Sequence, residues 1–338
     1  MSEKIRAYAA TVAKGLFTPF EYAPGPLHPE QVEVAVETCG ICHSDLSMLD
    51  NEWGRSVYPL VPGHESSGVV VAAGAQVKGL KVGDRVGVGW ISSTCMHCRP
   101  CMSGDHHLCP TKEETIVGRH GGFAERVRAH WSCAVKLPAG LDHAKAGPLF
   151  CGGITVFTPI LEYVRPQHRT GVIGIGGLGH MALQFLNKWG CEVTAFTSSE
   201  SKRDEAMKLG AHHVVAGSDK AALKALTGQF DFILVTVNVA MDWTLYTRLL
   251  APRGRLHFVG AVAEPLNVQP RMLFGQKAIS GSPVGSPAAI ATLLDFCARH
   301  ELAPMVEEFP MSRVNEAMEH LRAGKARYRV VLRNDFSR

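Results

Sequence analysis

Two patterns of apolar and polar positions divide this chain. Over 31–37, Val32, Val34 and Val36 alternate with Glu33, Ala35 and Glu37, which predicts a strand with its valines inward and Glu33 and Glu37 outward. Valine-rich runs at 68–71 and 83–88 are bounded by glycine and read as further strands between tight turns. The first 140 or so residues therefore predict an antiparallel, barrel-like region. Beyond Leu149, short apolar runs alternate with helix-length segments. The predicted strands are 172–175, 192–196, 230–237 and 255–259, and the predicted helices are 178–189, 202–209 and 241–250. Such alternation implies a parallel, doubly wound sheet. An amphipathic helix over 288–299 and an apolar tail at 328–332 depart from it, and the tail can return to pair with the N-terminal region.

A length of 338 residues suits about two domains. Hydrophobic residues are 46% and charged residues 20%, which excludes a disordered or fibrous chain. The net charge of +4 is too small over this length to imply a nucleic-acid partner. The first residues lead into no apolar leader, and no run approaches the roughly 18 apolar residues of a membrane span. The expectation is a soluble cytoplasmic protein with no membrane partner. Ten cysteines are too sparse at this length for a disulfide framework, so clustered thiols point to metal or catalysis.

Three groups of residues carry chemistry. Gly174-Ile-Gly176-Gly177-Leu178-Gly179 places G-x-G-x-x-G between a predicted strand and a predicted helix. There the glycines make the turn, admit a pyrophosphate and allow helix-strand packing. The next strand should end in an acid if the ribose carries a free 2′-hydroxyl, but it reads Thr197, Ser198, Ser199, Glu200, Ser201, Lys202, Arg203. Small hydroxyls followed by two cations predict NADP(H). The alternative is that Glu200 takes the acidic role and the cations are solvated. Cys95, Cys98, Cys101 and Cys109 can converge tetrahedrally on one structural zinc. Cys42, His64, Glu65 and Cys151 are further donors, but spacing alone does not join them, and Cys39-x-x-Cys42 can itself be read as a metal pair or redox motif.

Taken in order, Cys-Gly-Ile-Cys-His-Ser-Asp-Leu-Ser at 39–47, Asn51-Glu52-Trp53-Gly54, Val61-Pro-Gly-His-Glu65, the four-cysteine loop, Gly121-Gly-Phe-Ala124, Leu149-Phe-Cys-Gly-Gly-Ile-Thr155, the glycine fingerprint and Ala326-Arg-Tyr-Arg-Val330 run the length of the chain. This set resembles the zinc-dependent medium-chain alcohol dehydrogenases. The resemblance is to their cinnamyl-alcohol-dehydrogenase-like branch, and within it to the bacterial NADPH-dependent broad-range aldehyde reductases.

The resemblance implies a GroES-like β-barrel catalytic domain over 1–148, with a zinc lobe at 93–112. It also implies a Rossmann coenzyme domain over 149–287, and a return to the catalytic domain over 288–338. It makes Cys42, His64 and Cys151 ligands of a catalytic zinc with Glu65 as an intermittent fourth, giving two zinc ions per subunit, and leaves Cys39 to packing. Ser44 becomes a proton-relay hydroxyl. His43 either substitutes for the histidine that relatives carry at Ser47 or contacts the pyrophosphate. Thr155, Val237, Gly260 and Val262 join the coenzyme contacts, and Trp53, Trp90 and Val284 line the substrate cleft. The implied reaction is hydride transfer from NADPH to hydrophobic aldehydes by a homodimer. A cinnamyl or aromatic alcohol dehydrogenase is the alternative. Zinc-free quinone or enoyl reductases of the same fold would lack the Cys42, His64, Cys151 set, and a non-enzymatic binding protein on this scaffold would have broken motifs.

Overall fold

The computed structural model describes residues 4–198 and 200–336, apart from the Glu200 side chain. The chain forms two compact units, one of residues 1–154 and 285–338 and the other of residues 155–284. Among the described residues no helix is long and apolar enough to cross a membrane.

The first unit opens with a hairpin of β1 (Ile5–Ala9) and β2 (Thr18–Tyr22). It continues through β3 (Gln31–Ile41), α1 (His43–Leu49), β4 (Ser66–Ala73), β5 (Arg85–Val88), β6 (Ile91–Ser93), α2 (Arg99–Met102), β7 (Glu113–Glu114), β8 (Arg126–His130) and β9 (Ala134–Lys136). β3 organises it. One edge pairs with β4, and the first half of the other edge pairs with β8, all antiparallel. Val32, Val34 and Val36 are buried as the alternation predicts. Glu33 is buried too, against expectation: Arg126 Nη1 at 3.1 Å and Arg128 Nε at 2.7 Å donate to its carboxylate, and these paired charges replace the water it gives up.

After α3 (Gly152–Tyr163), the second unit consists of β10 (Arg169–Ile173), α4 (Gly179–Trp189), β11 (Glu192–Thr197), α5 (Arg203–Lys208), β12 (His213–Ala216), α6 (Lys220–Ala225), β13 (Phe230–Val235), α7 (Trp243–Leu249), β14 (Leu250–Phe258) and β15 (Ala278–Gly281). Its six strands are all parallel, in the order β12-β11-β10-β13-β14-β15, which is the doubly wound arrangement. β10 and its turn carry the glycine fingerprint at the point where the strand order reverses, where such sheets bind ligands.

α8 (Pro287–Arg299), β16 (Val306–Pro310), α9 (Val314–Arg322) and β17 (Arg329–Arg333) complete the first unit. β17 pairs antiparallel with the second half of β3, continuing the edge that β8 begins. Val330 and Leu332 join Val32, Val34 and Ile41 in one apolar core. Arg322 of α9 holds Asp50 at the end of α1 with bonds of 2.6 and 2.9 Å, which fixes α1 against the returning segment.

Candidate active site and metal centres

α1 begins at Cys42, whose backbone is still extended at φ −114° and ψ 162°. Asp45, three residues on, turns back so that its Oδ2 accepts the Cys42 amide at 2.9 Å, satisfying one of the free donors of the helix start. Its other oxygen accepts the Gly63 amide at 2.9 Å and meets His64 Nδ1 at 3.0 Å. One buried carboxylate thus sets two segments of chain against each other and leaves His64 Nε2 pointing inward. That nitrogen lies 3.3 Å from Cys151 Sγ, and Cys151 Sγ lies 3.7 Å from Cys42 Sγ.

Donor atoms of Cys42, His64, Glu65 and Cys151 all lie within 4.8 Å of one another, and all four residues are buried. A tetrahedral zinc with bonds of about 2.3 Å to sulfur needs donor separations of about 3.8 Å, so this set fits the ion. Cys39 lies outside it, its Sγ 3.6 Å from Ser66 Oγ, and burial pushes its thiol well up. The Cys151 thiol donates to Cys42, which holds Cys42 well below the ordinary thiol range and Cys151 above it. Burial favours neutral His64, but the Asp45 carboxylate outweighs it and raises the imidazole.

Glu65 is drawn aside. Its Oε1 accepts from Arg329 Nη2 on β17, a residue only 4% exposed, while Oε2 has no hydrogen-bond partner among the described residues. Burial raises the Glu65 carboxyl and Arg329 opposes it. A Cβ added to Gly40 would stand 2.0 Å from Glu65 Oε2, so only glycine leaves room for that carboxylate.

Cys95, Cys98, Cys101 and Cys109 form a second cluster within the same limit. Cys95 Sγ lies 3.6 Å from Cys109 Sγ and 4.0 Å from Cys101 Sγ, and the Cys98 amide donates to Cys95 Sγ at 3.3 Å. Burial opposes the Cys109 thiolate, but hydrogen bonds from the Cys95 backbone and Thr111 outweigh it and lower the thiol to about 6. Four sulfurs with no carboxylate or water position suit a closed structural zinc. The two clusters together fit two zinc ions.

Trp90 stands edge-on to His64 with ring centroids 4.9 Å apart, and Trp53 stands edge-on to Trp90 at 5.9 Å. Met48, Leu60 and Ile116 back Trp90. The structure thus brings Trp90 beside the first cluster and Trp53 one ring farther out. Val284 ends the second unit, half-buried. Ser44 Oγ lies 3.8 Å from Cys42 Sγ, and His43 is exposed at the first position of α1. Ser47, buried, donates to Glu52 at 2.7 Å.

In the second unit, Gly174 adopts φ +90°, a Cβ on Gly179 would stand 1.9 Å from Gly174 O, and one on Gly176 would meet nothing within 4 Å. The turn is therefore tight where it must be and open where a phosphate would approach. A cavity of about 460 Å³ is lined by Gly174, Gly176, Thr197, Ser198 and Lys202, and also by Ser218, Met241 and Tyr246, which the motif gave no reason to name. Lys202 Nζ donates to Ile175 O in the glycine turn at 3.4 Å. Gly177 and Leu178 complete the turn ahead of α4, and Val237 packs against Gly174 and Gly260. The Val262 amide donates to Gly260 O at 3.1 Å, and Thr155 is buried on α3. Ser199 lies outside the described residues. The two expected cations part company: Arg203 lines a separate depression of about 650 Å³ along β12.

Comparison with known proteins agrees with this geometry. The family described as alcohol dehydrogenase GroES-like domain matches residues 28–139, and that described as zinc-binding dehydrogenase matches residues 177–299. The chain is 57% identical over 331 residues to the aldehyde reductase AdhA of Synechocystis sp., covering 97% of this chain and 98% of that one. It is 38% identical over 340 residues to a probable cinnamyl alcohol dehydrogenase of Populus deltoides, covering 97% and 95%. Among solved structures, it superposes on a cinnamyl alcohol dehydrogenase of Sorghum bicolor with a TM-score of 0.93 at 35% identity, covering 99% and 100%. A Helicobacter pylori cinnamyl alcohol dehydrogenase complexed with NADP(H) gives 0.90 at 27%, covering 98% and 99%. The chain belongs to the zinc-dependent medium-chain alcohol dehydrogenase family of oxidoreductases.

Proposed function

We propose that this protein transfers hydride from NADPH to hydrophobic aldehydes, aliphatic or aromatic, giving primary alcohols in a reversible reaction. The observation that carries this reading is the convergence of Cys42, His64 and Cys151 beside Trp90, with Glu65 drawn aside to Arg329. We assign those three residues, with Glu65 as an intermittent fourth ligand, to a catalytic zinc, and the four cysteines to a structural one. When bound at the first site, zinc supplies Lewis acidity to a carbonyl oxygen.

The chain's own residues do the rest. Asp45 orients His64 and Cys42, and the two indoles, set edge to face, offer an apolar corner beside them. Ser44 hands a proton to the oxygen that gains charge as hydride arrives. His43, exposed one residue earlier, either extends this path or meets the coenzyme pyrophosphate. The glycine turn takes the pyrophosphate, with Thr155, Val237, Gly260 and Val262 as further coenzyme contacts. Lys202 with Ser198 takes the 2′-phosphate, and Val284 adds to the substrate lining. The first unit is thus catalytic and the second binds coenzyme.

The edge-to-face indoles also favour a second reading, a dehydrogenase acting mainly on aromatic alcohols. Relative rates on octanal and cinnamaldehyde separate the two. A strong bias to cinnamaldehyde favours the second, and failure to reduce either aldehyde overturns both. We further place the enzyme in the cytoplasm, where its ten cysteines, none of them in a disulfide, stay reduced. We propose a homodimer joined through the coenzyme-unit sheet, whose edge strands are β12 and β15.

A further inference from the structure

Arg55 is a residue to which the reaction assigned above gives no part, yet it sits against both indoles. Its guanidinium carbon is 5.9 Å from the ring centroids of both Trp53 and Trp90. Trp90 in turn is in edge contact with His64. The Trp90 indole therefore neighbours both the imidazole at the first metal cluster and a permanent positive charge. Arg55 also bonds Glu114 through Nη2, its only hydrogen bond among the described residues. Glu114 is on β7, which pairs with β6 to flank the four-cysteine loop. The Arg55 side chain is 41% exposed and that of Glu114 only 16%. The carboxylate thus anchors one corner of the guanidinium, and the other donors of its fork remain open to the solvent side.

We propose that Arg55 determines specificity by reading the substituent opposite the carbonyl of an aromatic aldehyde, favouring an anionic or strongly accepting group such as a carboxylate. The inference rests on Trp53 and Trp90 lining the substrate cleft, as assigned above. An aldehyde whose oxygen lies at the first metal cluster and whose ring lies along Trp90 brings its para position to the guanidinium. A carboxylate there gains a charge-assisted hydrogen bond, and a cation there meets the same charge as a repulsion. Glu114 competes for the guanidinium, so it moderates the preference as well as anchoring the side chain.

The test compares kcat/KM for 4-carboxybenzaldehyde and 4-methylbenzaldehyde with NADPH, in the zinc-replete wild type, Arg55→Met, Arg55→Lys and Glu114→Gln. The readout is the ratio of the two substrates. It should fall about tenfold in Arg55→Met, fall less in Arg55→Lys, and rise in Glu114→Gln, with most of the change in KM for the carboxylate. The wild-type ratio should also shrink as ionic strength rises. A ratio unchanged in Arg55→Met and Glu114→Gln overturns the proposal, as does an equal loss on both substrates, which would make Arg55 only a tie between its loop and β7. A wild type that reduces 4-methylbenzaldehyde but shows such unchanged ratios leaves the aldehyde-reductase reading standing. A wild type that reduces octanal but neither benzaldehyde overturns the proposal alone, and one that reduces none of these aldehydes overturns both.

Discussion

Asp45 Oδ1 lies 3.0 Å from His64 Nδ1, and both side chains are completely buried. The carboxylate fixes which ring nitrogen of His64 faces the cysteines and, through the Cys42 amide, where α1 begins. Removing its charge while keeping its shape isolates this role. Asp45→Asn should weaken zinc at the first site by 10- to 100-fold, read by competition with a chromogenic chelator, while zinc at the four-cysteine site stays tightly held.

Gly40 has no substitute of any size. An alanine there puts its Cβ 2.0 Å from Glu65 Oε2 and 3.0 Å from Glu65 Cβ, between β3 and the Arg329 pair. Gly40→Ala should destabilise the protein by about 1–3 kcal/mol through overpacking and lower its thermal midpoint, measured by calorimetry of the zinc-loaded enzyme.

The four-cysteine loop joins β6 to β7, which pair antiparallel. Cys109→Ser should halve the zinc content measured by elemental analysis, from two ions per chain to one. It should also lower thermal stability more than any single change at either indole.

Lys202 lines the cavity at the glycine turn, and Arg203 lines a separate depression along β12. Lys202→Ala should therefore raise KM for NADPH at least about tenfold, the loss of one charge-assisted contact to phosphate, and leave KM for NADH nearly unchanged. Arg203→Ala should do neither, and steady-state kinetics on one aldehyde decides it.

His257 predicts a pH dependence of stability. The ring is 1% exposed between Ser280 Oγ and Ser282 Oγ, each at 2.9 Å. Burial first, and then the nearby Arg255 charge, lower its pKa to about 4. The folded state binds its proton less readily than the unfolded chain, whose histidines titrate near 6.5. The stabilisation is therefore complete above about pH 6.5 and is lost as pH falls towards 4, up to about 3 kcal/mol in all. Urea midpoints at pH 7.5 and 5 should differ less in His257→Asn than in the wild type.

The sequence made some of this legible and hid the rest for identifiable reasons. The glycine turn could be read because its spacing is local and flanked by a strand and a helix, and the four cysteines because they span one loop. Cys42, His64 and Cys151 are far apart in sequence, so only family resemblance joined them. Asp45 has no spacing signature that ties it to His64, 19 positions on, and Arg329 is 264 positions from Glu65. Nothing in spacing could pair them. Alternation misplaced Glu33 because period two reports the side of a strand and not the arginines waiting on it. α3 was missed because it is buried on nearly all sides and carries Pro159, leaving no polar stripe and a residue that ordinarily breaks helices.

The central claim is NADPH-linked aldehyde reduction by this chain, and the initial rate of NADPH oxidation with octanal, measured beside the same assay with NADH on zinc-loaded protein, tests it most directly. Rapid turnover that clearly favours NADPH is the expected result. Equal or faster turnover with NADH would contradict the reading of Ser198 and Lys202, and no turnover with either coenzyme on octanal or cinnamaldehyde would contradict the account as a whole.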